Sequence, residues 1–133
     1  MKGRAMSYRV MIVEDDSSIA QTMVLALRLI PNVEVDRAYN GEEALRLWNE
    51  KPADVLLTDY HMREMTGMEL VRHLRANNFT QPMIMITAYD SVQLQREARE
   101  AGVTELIAKP FFIDQLIDRV SELLGQSKVL GGN

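Results

Sequence analysis

Short apolar runs alternate with amphipathic segments of helical length along this chain, and that alternation leaves few folds open. The runs are Val10-Met11-Ile12-Val13, Val33-Glu34-Val35, Asp54-Val55-Leu56-Leu57-Thr58, Met83-Ile84-Met85-Ile86-Thr87 and the weaker Glu105-Leu106-Ile107-Ala108. Three of them are apolar almost throughout, as strands covered on both faces should be. Between them, Ile19, Met23, Ala26 and Ile30 recur at helical spacing, and Pro31-Asn32 ends that segment. Asn40 precedes Glu43 by three and Thr66 precedes Glu69 by three. Both are helix starts, and the second fits a capping box. Asp90 is the expected cap of a helix running to about Ala101, with Gly102 as its stop. Ile113, Leu116, Ile117, Val120 and Leu124 mark the last helix, which Gly125 closes. Strand and helix thus alternate five times. That order predicts an α/β fold: a parallel sheet, right-handed crossovers, and helices on both faces in three layers.

Composition narrows the chemistry. A length of 133 residues suits one domain, and the pattern assigns it to residues 8–125. Residues 1–7 and 126–133 are expected to be flexible ends or linker. The hydrophobic share of 47% supplies a core, and the nine methionines are read as gap-fillers within it. A formal net charge of -4 argues against direct binding of a nucleic-acid backbone by this segment. With no cysteine there is no disulfide, thiol nucleophile or thiolate metal site. No apolar run approaches the roughly 18 residues of a membrane span, and Met1 to Ser7 is not followed by an apolar stretch of signal-peptide type. Trp48, beside Leu45 and Leu47, is expected to be half-buried, and His73 solvated.

In such a sheet, ligands bind beyond the carboxyl ends of the strands. Those ends carry Glu14-Asp15-Asp16, then Thr58-Asp59, then Thr87-Ala88, then Lys109-Pro110. Each residue alone has an ordinary role as a cap, a turn or a surface charge. Together they place carboxylates, a hydroxyl and an ammonium at one edge. Crowded carboxylates repel one another and invite a hard divalent cation such as Mg²⁺, which favours sites shared with phosphate. An Asp carboxylate can attack phosphorus to give an aspartyl phosphate. The transferring group then needs a cation, a Lys and a hydroxyl or amide around its equatorial oxygens.

These residues resemble the CheY-like receiver domains of two-component response regulators. The resemblance covers Tyr8 to about Leu124. It rests on Val10 through Ser17, Asp54 through Met62, Met65-Thr66-Gly67-Met68-Glu69-Leu70, Ile86-Thr87-Ala88, and Ala101-Gly102 through Ala108-Lys109-Pro110-Phe111. It implies a flavodoxin-like (βα)5 fold with strand order 2-1-3-4-5. It implies Asp59 as phosphoacceptor, with Mg²⁺ or Mn²⁺ held by Glu14, Asp15, Asp59 and the backbone carbonyl of His61. Thr87 and Lys109 would bind phosphoryl oxygens, with Asp16, Ala88 and Tyr89 adjacent and the Lys109-Pro110 bond cis. The implied partners are a histidine kinase or histidine phosphotransfer protein and an output domain or downstream protein, with a homodimer possible through the fourth helix, fifth strand and fifth helix. The implied setting is cytoplasmic, and the implied role is self-phosphorylating signalling without turnover.

Two departures stand out. Arg63 occupies a place that is usually Pro in the family, and Leu106 occupies one that is usually Tyr or Phe, where the ring turns as the Thr moves. Leucine cannot report rotation in that way, and Tyr89, two past Thr87, is a candidate aromatic substitute nearby. His61 and Tyr89 fall at the two places flanking the water path to the phosphorus, where large side chains would slow hydrolysis. Three other readings compete. A haloacid-dehalogenase-like phosphatase would want a second Asp two residues after the nucleophile, where His61 stands. A flavodoxin-like cofactor binder would want a Ser, Thr or Gly-rich loop where Glu14-Asp15-Asp16 would repel a phosphate. A phosphorylation-independent pseudo-receiver would tolerate Leu106.

Overall fold

A computed structural model describes residues 7–125. The expected ends 1–6 and 126–133 lie outside the described residues, while the Ser7 hydroxyl donates to Glu34 Oε2 at 2.8 Å. The elements are β1 (Tyr8–Val13), α1 (Ser17–Leu27), β2 (Val33–Ala38), α2 (Gly41–Glu50), β3 (Val55–Asp59), α3 (Gly67–Ala76), β4 (Met83–Thr87), α4 (Val92–Ala101), β5 (Glu105–Ala108) and α5 (Ile113–Leu123). All the strand pairs are parallel, in the order β2-β1-β3-β4-β5. This is the doubly wound architecture that the alternation predicts.

The sheet separates two apolar layers. One face of the strands, with Met11, Leu56, Met83 and Met85, packs against α2, α3 and α4. The other, with Val10, Ile12, Leu57 and Ile84, packs against α1 and α5. Adjacent residues of each strand alternate between the layers, as the two-residue period of a strand demands. Every residue of β3 and β4 is buried, because both strands have neighbours on each side and helices on each face.

The helix starts follow local chemistry. Asn40 Oδ1 accepts from Glu43 N–H, and Thr66 with Glu69 forms the complete capping box. Gly102 ends α4 at φ 101°, a left-handed conformation that only glycine adopts without strain.

Four sequence readings need correction. Ser91, not Asp90, caps α4: its hydroxyl accepts from Leu94 N–H, while Asp90 instead accepts from the Gln95 amide. α1 stops at Leu27, so Ile30 packs into the core from a turn, and Ile19 is 39% exposed. β2 continues to Ala38. Trp48 is fully buried rather than half-buried, edge-on to Phe79, with no hydrogen-bond partner for its Nε1 among the described residues. His73 is exposed, as expected.

Candidate functional site

Sheet register brings distant residues to one rim. Val13 pairs with Ala38 of β2 and with Thr58 of β3, so Glu14 and Asp59 leave adjacent strands one step further on. Asp59 pairs with Ile86, and Thr87 with Ala108. Backbone bonds extend the ladder past the strand ends: Glu14 N–H donates to Ala38, Tyr60 N–H to Ile86, and Lys109 N–H to Thr87. The first residues beyond each strand are therefore held almost as firmly as the strands.

Asp59 is only 6% exposed, and its Oδ1 lies 3.1 Å from Lys109 Nζ. Thr87 is buried, and its hydroxyl oxygen accepts from Tyr89 N–H at 2.9 Å. That leaves the hydroxyl hydrogen free to be donated elsewhere. Glu14 is also buried, and its Oε2 accepts from Asp16 N–H at 3.1 Å. Burial is the largest cause that pushes the Glu14 carboxyl up to about 6. The Asp16 hydrogen bond and the Lys109 charge oppose this, while Asp59 and Asp15 add to it. Asp15 is partly exposed and stands 3.9 Å from Arg63 Nε. Asp16 faces away and caps α1 through Ile19 N–H.

The remaining predicted residues form a second tier. The Lys109-Pro110 peptide is cis. His61, Ala88 and Tyr89 are exposed at the rim. His61 and Tyr89 line a groove of about 460 Å³ with Tyr60, Leu94 and Glu97. Leu106 lies half-buried on β5, against the core layer that holds α4.

Two residues to which the sequence reading gave no role shape the site. Gly67, the first residue of α3, lies directly beneath the Asp59 backbone. A Cβ there would overlap the Asp59 carbonyl oxygen and come within 3.1 Å of its carbon and 3.2 Å of Thr58 Cγ2. Its signal in the sequence was a poor helix former at a helix start. Arg37, at the end of β2, donates twice to the Glu14 carbonyl oxygen, from Nη2 at 2.8 Å and Nε at 3.2 Å. Its guanidinium lies 3.8 Å from the Tyr39 ring centroid. No local pattern marks it, because Arg37 and Glu14 meet only through strand pairing.

The donor set fits a hard divalent cation. Glu14 is a carboxyl out of water, raised further by two neighbouring carboxylates, and a cation relieves that repulsion. Among the described residues no three acidic or histidine side chains form a ready-made cage. Mg²⁺ does not require such a cage, since it binds through one or two carboxylates, other oxygens and several waters.

A profile of the response regulator receiver domain matches residues 10–121. The chain belongs to the response regulator receiver family. It is 31% identical over 124 residues to the response regulator MprA of Mycobacterium ulcerans (strain Agy99), covering 93% of this chain and 53% of that protein. It is 36% identical over 118 residues to the transcriptional regulatory protein PrrA of Mycobacterium bovis, covering 89% and 50%. The receiver thus spans about half the length of these curated relatives. Among solved structures, the receiver domain of the Francisella response regulator 1452 superimposes with a TM-score of 0.84 at 33% identity, covering 90% of this chain and 98% of that one. The Vibrio cholerae chemotaxis protein CheY4 gives 0.81 at 30% identity, covering 88% and 98%. This chain is a receiver domain, a signalling module of two-component systems. The comparisons do not favour the phosphatase reading or the pseudo-receiver reading.

Proposed function

We propose that Asp59 accepts a phosphoryl group from a phosphohistidine on a histidine kinase or histidine phosphotransfer protein. The observation that carries this is a nearly buried strand-end carboxylate 3.1 Å from the Lys109 ammonium. An Asp59 oxygen attacks phosphorus, the P–O bond forms as the P–N bond breaks, and the leaving imidazole takes up a proton. A divalent cation, Mg²⁺ or Mn²⁺, held by Glu14, Asp15, Asp59 and the His61 carbonyl, supplies charge stabilisation to the phosphoryl oxygens when bound. Lys109 pairs with one phosphoryl oxygen. Thr87 donates its hydroxyl hydrogen to another.

The phosphoryl group brings about -1.5 to -2 charges to the rim. Because Thr87 accepts from Tyr89 N–H, its movement pulls on the exposed β4–α4 connection. Leu106 has no ring to rotate, so Thr87 and Tyr89 carry the change to the α4, β5 and α5 surface. A coupling of about 1–3 kcal/mol suffices for such a switch. That surface is where a homodimer, an output domain or a downstream protein would respond. Among the described residues no helix is long and apolar enough to cross a membrane; membership of the receiver family is what supports a cytoplasmic setting and a signalling role without turnover.

The test is intact mass after incubation with acetyl phosphate and Mg²⁺. The parent gains one phosphoryl group and Asp59→Asn gains none. Equal labelling of the two proteins moves the acceptor elsewhere.

A further inference from the structure

Glu14 is gripped at three points. Its N–H donates to the Ala38 carbonyl, its side chain accepts from Asp16 N–H, and its carbonyl oxygen accepts both hydrogen bonds of Arg37. The first extends the β1–β2 ladder by one bond, and the second belongs to the turn after β1. The third is a planar guanidinium reaching across from the sheet's edge strand, β2. Its fork converges on a single oxygen, and its face is steadied by the Tyr39 ring. Glu14 and Asp15 are consecutive and carry like charges close to a third, on Asp59. Without an anchor, repulsion would spread the connection between β1 and α1 in the absence of a cation.

We propose that Arg37 is a positioning residue that preorganises the acidic pair for the divalent cation. It acts through the Glu14 backbone and not through its charge. The inference rests on the reading of Glu14 and Asp15 as cation ligands. Its physical content is a sign. A guanidinium acting only through its field would repel a cation, so its removal would tighten binding. A guanidinium acting as a brace lowers the ordering cost of the site, so its removal weakens binding.

The experiment is calorimetric titration of the unphosphorylated protein with Mg²⁺ and with Mn²⁺, at fixed ionic strength. It is paired with amide chemical shifts of Asp15 and Asp16 and with thermal unfolding under chelation. The parent binds, and Arg37→Ala binds about tenfold more weakly, at the low end of effects seen for residues that support metal ligands. The Asp15 and Asp16 amides shift before any cation is added. Arg37→Lys keeps the charge without the fork and recovers only part of the affinity. Arg37→Met keeps a comparable stem without a donor, and it carries the same comparison where Arg37→Ala does not fold. Unchanged or tighter binding in Arg37→Ala or Arg37→Met overturns the bracing role and leaves the cation site standing. A parent that binds neither cation overturns the cation-site reading, and the bracing role with it.

Discussion

β3 and β5 both end at the rim that carries Asp59 and Lys109, yet they are opposite kinds of strand. β3 lies at the centre of the sheet, and all five of its residues are buried. β5 is an edge strand of four residues, all partly exposed. β3 carries Asp59, and its carbonyl rests against Gly67. β5 leads into Lys109, and beside it runs a groove of about 520 Å³ lined by Leu106, Phe111 and Arg119. An ion pair between Glu105 and Arg119 ties β5 to α5 at the surface, and such exposed pairs are weak. A reacting carboxylate needs one fixed position, and close packing on all sides supplies it. In the proposed function Lys109 follows the phosphoryl oxygens and needs a place to move, and a half-covered edge supplies that.

Substitutions can break or sharpen this contrast. Leu57→Ala, in the middle of β3, is expected to cost about 3–4 kcal/mol, within the range for fully buried leucines, measured as a shift of the urea midpoint. Gly67→Ala comes next. The methyl group has no free space, so unfolding experiments should show a loss of about 2 kcal/mol from overpacking, and phosphorylation by acetyl phosphate should slow at least tenfold. A variant that labels at the parental rate would show that the Asp59 backbone is not held by this contact.

Glu14→Gln acts in the opposite direction. A carboxyl raised from 4.5 to about 6 by burial favours its protonated form in the folded state. Its charge therefore costs nothing below the unfolded value of 4.5 and its full amount above about pH 6. Under chelation at pH 7 the amide should stabilise the fold by about 1–2 kcal/mol, with the gain vanishing below pH 4.5. A parent whose stability is level from pH 4.5 to 7 would refute the assignment of cost to this group. Leu106→Ala should cost least, about 1 kcal/mol, because the side chain is only half-covered. A loss equal to that of Leu57→Ala would erase the distinction between the two strands.

A kinetic test bears on the rim itself. If His61 and Tyr89 obstruct water, His61→Asn with Tyr89→Ala shortens the lifetime of phospho-Asp59 severalfold, followed by loss of the mass increment. An unchanged lifetime removes that role from both side chains.

Much of the fold was legible in the chain because its information is periodic and local. The runs at β1, β3 and β4 are apolar almost throughout, so they read as covered strands before any contact is known. Thr66 and Asn40 cap their helices through bonds to residues three positions away. The misreadings occurred where local signals compete. Asp90 and Ser91 are both good caps, and only the path of the connection from β4 selects the serine. Trp48 was placed too near the surface because helical spacing gives a direction but not the depth of the layer, and Phe79 closes over it from another connection.

The sequence alone determined the order of elements and the residue types at the strand ends, because strand and helix periods and end signals are properties of neighbouring residues. Tertiary structure alone decided that Lys109 reaches Asp59, that Gly67 lies under the Asp59 carbonyl, and that Arg37 grips Glu14. These contacts depend on strand register and on the closeness of the backbones. Register and closeness arise only when the whole sheet has been assembled and its two apolar layers are closed.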